Sequence, residues 1–294
     1  MPAENQTSAW HRVREMSLHR FDRATESEAR DFIAAEEPLE IRVEGHSIAV
    51  VMRTPGEDRE LAAGFLVTEG MIHGIDDVKE IRHRPHCWPK DSQPQNGSAL
   101  VRSEGNVIDV WLRNPASMDL QKLSRHVFTS SSCGICSKAS IEVVKQQFPP
   151  LQGFCEVDPQ VIMELPEALS AAQETFKRTG GLHACALFDL TGRMLALRED
   201  VGRHNALDKI IGWALLEECL PLSEHILLLS GRTSFEMMQK SLAGGVPIVA
   251  AISAPSSLAV EFARDSGQTL VGFLRGERMN IYAGAGRIRS LALK

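Results

Sequence analysis

The stretch 225–243, HILLLSGRTSFEMMQKSLA, decides the fold class, together with the similar stretch 247–266, PIVAAISAPSSLAVEFARDS. Each begins with a short, continuous apolar run, which is typical of a strand buried on both faces of a sheet. These runs predict strands over 225–229 and 247–252. Each then passes through small hydroxyl residues into an amphipathic segment, which predicts helices over 234–243 and 256–265. Strands that alternate with helices predict an α/β sheet with right-handed crossovers.

The same alternation extends outward from these two stretches. Upstream, a helix is predicted over 166–178, and strands are predicted over 182–189 and 194–198, followed by a helix over 205–220. Downstream, strands are predicted over 269–274 and 280–282. The second half of the chain, residues 126–294, is therefore interpreted as one α/β domain.

The first half has a different pattern. Residues 1–37 form a polar lead-in that we expect to be partly disordered. Residues 38–125 predict a smaller α+β domain, with a hairpin over 41–53 around Glu44-Gly45 and a helix over 55–69. Nothing in residues 38–125 identifies chemistry.

Composition narrows the class of protein. The chain has 294 residues, of which 43% are hydrophobic and 24% charged, and its net charge of -6 argues against a general polyanion binder. We find neither a run of roughly 18 to 20 apolar residues nor the apolar core of a secretory signal. Six cysteines in this length do not make a disulfide scaffold, so we expect a reducing, cytoplasmic environment.

A first candidate site is the pair Cys133 and Cys136 in the Ser/Gly-rich segment 130–138. Free backbone N–H groups before a helix, together with Lys138, favour a thiolate there. The C-x-x-C spacing alone is compatible with half a zinc site, a dithiol redox pair or a sulfur carrier. A zinc site needs two further ligands, for which His183 with Cys185, or His86-Cys87, are the candidates.

A second candidate site is the pair of strand-to-helix junctions at 229–234 and 253–257. Free N–H groups and helix dipoles at such junctions bind anions, and Arg232 adds a guanidinium suited to phosphate or guanine. Ligands of α/β sheets bind at the carboxyl ends of strands, so this edge predicts a nucleotide or phosphate-bearing ligand. The alternative is that the serines only cap their helices.

A third candidate is the run 198–205, which places several ionisable side chains around Gly202 at a helix start. Asp200, Arg203 and His204 could orient a polar cofactor or a proton-transfer partner. A structural, salt-bridged turn is the alternative.

These motifs occur in one order that resembles the formate dehydrogenase accessory sulfurtransferases, the FdhD family. The similarity rests on the C-x-x-C loop, on 179–183, 198–208, 230–239 and 253–260, and on the closing segment 270–276. The resemblance implies a cytidine-deaminase-like C-terminal domain with a smaller N-terminal domain, and a homodimer. Deamination itself is not expected, because no C-x-x-C follows His183.

The resemblance also implies a function. A cysteine desulfurase would hand sulfur to Cys133 as a persulfide, with Cys136 as its partner, and the protein would pass it to the molybdenum cofactor bis-molybdopterin guanine dinucleotide, which then enters formate dehydrogenase. GDP could mimic this cargo. The resemblance implies that the cofactor binds to the segment Phe273, Leu274, Arg275, Gly276, Glu277 and Arg278. The expected binding set also includes Ser230, Arg232, Thr233 and Ser253 at the strand ends, together with His183.

Two alternatives remain at this point. A zinc-stabilised module would lose its fold with a chelator. A guanine-nucleotide-binding chaperone would bind GDP and accept no sulfur.

Overall fold

A computed structural model describes residues 12–23, 25–83, 106–115 and 148–290. The predicted thiol pair Cys133 and Cys136 lies outside the described residues. So do His86-Cys87 and the domain boundary expected near residue 125.

The elements in the described ranges follow in chain order. The strands are β1 (Val13–Asp22), β2 (Thr25–Ala34), β3 (Glu37–Val43), β4 (His46–Arg53), β5 (Val78–His83), β6 (Val107–Leu112), β7 (His183–Asp189), β8 (Met194–Asp200), β9 (His225–Leu229), β10 (Ile248–Ala251), β11 (Thr269–Arg275) and β12 (Arg278–Ala283). The helices are α1 (Asp58–Thr68), α2 (Pro159–Ala172), α3 (Glu174–Thr179), α4 (Arg203–Leu216), α5 (Phe235–Ala243) and α6 (Ser257–Ser266).

A six-stranded sheet with the order β12-β11-β10-β9-β7-β8 organises the second half of the chain. β10 runs parallel to β9 and to β11, whereas β7, β8 and β12 pair antiparallel with their neighbours. The predicted α/β class is confirmed.

The apolar run of β9 shows why its residues form a central strand. Ile226 and Leu228 pack on one face of the sheet with residues of α2, while Leu227 and Leu229 pack on the other face with residues of α4. Both faces are covered, so every position of the strand interior is apolar.

The helix predicted over 166–178 is wrong in its bounds. The chain forms two helices, and α2 begins at Pro159, where Asp158 accepts a hydrogen bond from Gln160 N at 2.9 Å. The break at Gln173 is supported by Glu199, whose carboxylate accepts from the backbone N–H groups of Thr175 and Phe176 at 3.0 and 2.8 Å. A cap supplied by a distant residue cannot be identified from local periodicity.

A second sheet, with the order β4-β3-β6-β5, lies in the first half. The hairpin predicted around Glu44-Gly45 is confirmed: both residues have positive φ, 50° and 79°, as a two-residue type I′ turn requires. Residues of β3, α1 and α4 belong to one buried cluster, so the two sheets share a core across α1 and α4.

The lead-in expected to be partly disordered contains two ten-residue antiparallel strands, β1 and β2. Most of their side chains are exposed, so they carry no burial pattern that would indicate a strand. Arg178 lies over the Phe32 ring at 5.2 Å, which attaches the ribbon to the α3 end.

None of the helices in the described ranges combines the length and the hydropathy needed to cross a membrane.

Candidate functional site

The carboxyl ends of β9, β10 and β11 lie side by side at one edge of the six-stranded sheet. Ala251 of β10 is aligned with Leu229 of β9, and Ala250 with Val271 of β11. The structure thus brings together the predicted residues that end or follow these strands, and we call this place the carboxyl edge: Ser230, Arg232, Thr233, Ser253, Arg275 and Gly276.

His183 reaches the same edge from an antiparallel strand. Because Cys185 is paired with Leu229, the first residue of β7 lies beside the segment that leaves β9. A Cβ atom placed on Gly231 would lie 3.2 Å from His183 Nδ1, so glycine leaves the room that the imidazole occupies. Ser230 Oγ accepts from Ala184 N at 2.8 Å and fixes this junction.

The electrostatics of the carboxyl edge are cationic. Burial lowers the pKa of His183, and the positive charges of Arg203, His204 and Arg232 lower it further, against the opposing effect of Asp200. At neutral pH His183 is therefore an uncharged hydrogen-bonding group among cations.

The backbone of the edge is rigidly joined. Thr233 N donates to Ala254 O at 3.1 Å, and Ser256 N donates to Thr233 O at 2.9 Å. Phe273 N donates to Ser253 O at 3.0 Å, which ties the end of β11 to the β10 junction. Adjacent junctions therefore hold a fixed geometry, as a binding site on rigid elements requires.

The segment Phe273–Arg278 comprises the end of β11, the turn at Gly276 and Glu277, and the first residue of β12. Phe273 has a φ of 50°, an unfavourable conformation for a bulky residue, and its side chain is 40% exposed. Arg275 Nε donates to Ile252 O at 3.1 Å, and its guanidinium lies 5.9 Å from the centre of the Phe273 ring. An exposed ring beside a fixed guanidinium forms a surface on which a planar base can stack.

The remaining residues of this segment divide by exposure. Leu274 is fully buried in the core, so its side chain cannot contact a ligand. Gly276, Glu277 and Arg278 are exposed.

Asp200 has a structural role in the third candidate cluster. Its buried carboxylate lies 2.8 Å from Lys209 Nζ and accepts from Thr54 N at 3.1 Å, Gly202 N at 2.8 Å and Asn205 Nδ2 at 2.9 Å. These donors satisfy the carboxylate and join the end of β4 to the start of α4. Arg203 and His204, from the same run, remain at the carboxyl edge.

Sequence reasoning missed Glu236, whose Oε2 lies 2.8 Å from His204 Nε2. The close approach of His204 lowers the pKa of Glu236 below its usual range. An acidic residue in the first turn of a helix is ordinary, so the sequence carries no signal of this pairing.

The described residues contain no group of three or more His, Cys, Asp and Glu side chains arranged to hold a metal ion. Cys185, a zinc candidate from the sequence, is fully buried in the core, and burial raises its pKa well above the ordinary thiol value.

This chain is similar to known proteins in both sequence and fold. The model of the FdhD/NarQ family matches residues 34–289. A relative named sulfur carrier protein FdhD from Nocardia farcinica is 48% identical over 272 residues, covering 92% of each chain. Another of the same name from Mycobacterium tuberculosis is 46% identical over 283 residues, covering 96% of this chain and 98% of the relative.

A solved structure, that of a putative formate dehydrogenase accessory protein from Desulfotalea psychrophila, superimposes with a TM-score of 0.71. The two sequences are 25% identical, and the match covers 94% of this chain and 99% of the other.

Proposed function

The chain belongs to the FdhD/NarQ family, and we propose that it is a sulfurtransferase that carries persulfide sulfur. It accepts the sulfur from a cysteine desulfurase and transfers it to the bis-molybdopterin guanine dinucleotide form of the molybdenum cofactor. The sulfurated cofactor then enters formate dehydrogenase.

The observation that carries this proposal is the convergence of the predicted binding residues at the carboxyl edge. The cargo is a large anion with two guanine bases. The edge offers cations at Arg203, Arg232 and Arg275, an uncharged imidazole at His183 and the exposed ring of Phe273. The arginines suit the phosphates, and the imidazole and the aromatic ring suit a guanine base. The residues present therefore fit a guanine nucleotide.

The sulfur step is assigned to Cys133, which lies outside the described residues, on the basis of sequence and resemblance. The Cys133 thiolate attacks the outer sulfur of the desulfurase persulfide. The donor S–S bond breaks, the donor cysteine leaves as a thiolate, and a new S–S bond forms on Cys133.

Release of the sulfur is assigned to Cys136. When its thiolate attacks the inner sulfur of the Cys133 persulfide, a Cys133–Cys136 disulfide forms and the outer sulfur leaves as sulfide, which takes the two electrons. A thiol reductant then restores the pair. The reduction step requires a reducing compartment, which supports a cytoplasmic location.

We further propose that the chain has the two-domain, dimeric architecture that the resemblance implies. Residues 38–125 would form a smaller α+β domain, residues 126–294 a cytidine-deaminase-like domain, and the working unit would be a homodimer.

The test is intact-mass spectrometry of the full chain after incubation with a cysteine desulfurase and cysteine. We expect a gain of one sulfur atom that maps to Cys133 and is removed by cyanide, because cyanide takes the outer sulfur of a persulfide. Zinc bound to Cys133 and Cys136 with no sulfur gain would instead indicate a metal-stabilised chaperone.

A further inference from the structure

Two hydroxyl groups at the start of α5 have no hydrogen-bond partner among the described residues. Thr233 is 1% exposed, and its Oγ1 is unpaired. Ser234 is the N-cap residue of α5, yet its side chain caps nothing, and its Oγ is buried and unpaired as well. Buried polar atoms are normally paired, so two adjacent exceptions indicate a missing partner.

The neighbouring helix shows the ordinary arrangement. Ser256, the N-cap residue of α6, accepts from Ala259 N at 3.3 Å. The first N–H groups of α5 receive no such side-chain cap, so the positive end of that helix is left to another acceptor.

A third unpaired donor lies close by. Arg203 Nε is buried without a partner in the described part of the chain. Arg203 Cδ would lie 3.8 Å from a Cβ atom on Gly231, two residues before Thr233. Arg203 Nε can only donate, and the two hydroxyls can donate as well, so one acceptor group can serve all three. The cationic surroundings favour an anion.

Glu236, in the first turn of α5, would by itself oppose an anion. Its carboxylate is engaged by His204, however, whose Nε2 lies 2.8 Å from Glu236 Oε2. The carboxylate therefore does not supply the acceptor that Thr233, Ser234 and Arg203 lack.

We propose that a phosphoryl group of the ligand binds at the start of α5, where the Thr233 and Ser234 hydroxyls and the Arg203 guanidinium donate hydrogen bonds to its oxygens. This inference rests on the proposed function for the nature of the ligand, a guanine dinucleotide. It further assigns the orientation of that ligand: the phosphoryl end lies at α5, and the base lies at the Phe273 side of the carboxyl edge.

The test is calorimetric titration of the full chain with GDP and with guanosine, which differ only in the diphosphate. Thr233→Val removes one donor at nearly constant volume, and Arg203→Gln removes the cation. We expect each variant to lower the ratio of GDP affinity to guanosine affinity by about tenfold, since one charge-assisted hydrogen bond corresponds to about that factor. Guanosine affinity itself should not change.

Thermal unfolding supplies the check on folding. Thr233→Val should leave the melting temperature of the ligand-free protein unchanged or raise it, because the hydroxyl has no partner to lose. The matched control is Asp158→Ala, which removes a paired N-cap side chain from α2: it should lower the melting temperature and leave the affinity ratio as in the wild type.

An unchanged affinity ratio in both Thr233→Val and Arg203→Gln would overturn the phosphoryl site. Equal wild-type affinities for GDP and guanosine, with Cys133 still taking up sulfur, would overturn it while leaving the sulfur-carrier proposal intact. A reduced ratio in the variants, with no sulfur on Cys133, would support the site and remove the proposed function.

Discussion

Gly64 of α1 and Gly212 of α4 lie opposite each other where the two helix backbones touch. A Cβ atom on Gly64 would be 1.7 Å from the Asp208 carbonyl oxygen, and one on Gly212 would be 1.8 Å from the Glu60 carbonyl oxygen. The obstacle in each case is backbone, which cannot rotate away as a side chain can. The contact between the two halves of the chain therefore requires the absence of both side chains.

We expect Gly212→Ala to destabilise the protein by about 3 kcal/mol or more, because the helices must separate to admit a methyl group. In an exposed helix interior the same change would stabilise by up to about 1 kcal/mol, so the sign of the effect is diagnostic. Denaturant unfolding measures it. Gly153→Ala is the control, since a Cβ atom there meets nothing within 4 Å; equal midpoints for the two variants would contradict the close helix contact.

The same interface buries an ion pair. Lys240 Nζ of α5 lies 2.9 Å from Asp208 Oδ1 of α4, and it also donates to Thr68 Oγ1 of α1 at 2.8 Å. Burial raises the pKa of Asp208, and the Lys240 charge works against that shift. Lys240 therefore links α5 to both α4 and α1, and its positive charge stabilises the buried carboxylate of Asp208.

We expect Lys240→Met to cost about 3 to 5 kcal/mol of folding free energy, because it leaves the Asp208 carboxylate buried without its counter-charge. The double variant with Asp208→Leu should be more stable than Lys240→Met alone, since it removes the orphaned charge. Denaturant unfolding of the wild type, the two single variants and the double variant measures the coupling energy between Lys240 and Asp208. Arg193→Ala, at an exposed pair with Asp189, is the control and should change stability by less than about 1 kcal/mol.

The pattern of apolar residues correctly predicted strands and helices that depend mainly on their own local sequence. The apolar run 225–229 is β9 without adjustment, and the helix predicted over 234–243 begins one residue later, at Phe235. The strand-end residues Ser230 and Ser253 came together because parallel strands end at one edge.

The features that the sequence did not predict depend on long-range contacts. Glu199 caps α3 from 24 residues away, and Gly64 meets Gly212 across two helices. Neither partner could be chosen from periodicity. β1 and β2 were missed for the opposite reason, because an exposed ribbon has little apolar alternation to detect.

Stability should fall on acidification partly through His183. Its pKa in the folded protein is below the ordinary value of 6.5, so the unfolded chain takes up its proton first as the pH falls. The free energy of unfolding therefore decreases from about pH 6.5 downward until His183 is protonated in the folded state as well. His183→Gln should remove this part of the slope, as measured by urea unfolding over that range. The control variant is His46→Gln, at an exposed position.

Sulfur loading and cargo binding should be separable. We expect Cys133→Ala to abolish sulfur uptake and to leave GDP affinity as in the wild type, because the thiol and the carboxyl edge have different roles. Arg275→Ala should weaken GDP binding by about tenfold while Cys133 still takes up sulfur. Mass spectrometry and calorimetry on the same samples make the comparison. Retained uptake in Cys133→Ala would remove that residue from the mechanism.

Phe273 offers the last prediction, because its backbone and its ring can be changed separately. The φ of 50° costs a side-chain-bearing residue about 1 to 2 kcal/mol, which glycine does not incur. Phe273→Gly should therefore be more stable than Phe273→Ala by about 1 kcal/mol, although both lose the same ring. If the ring stacks on a base, both variants should bind guanosine equally weakly, several-fold below the wild type. Unfolding midpoints test the first statement and calorimetry the second. Wild-type guanosine affinity in both variants would mean that the strained conformation of Phe273 does not present the ring to a ligand.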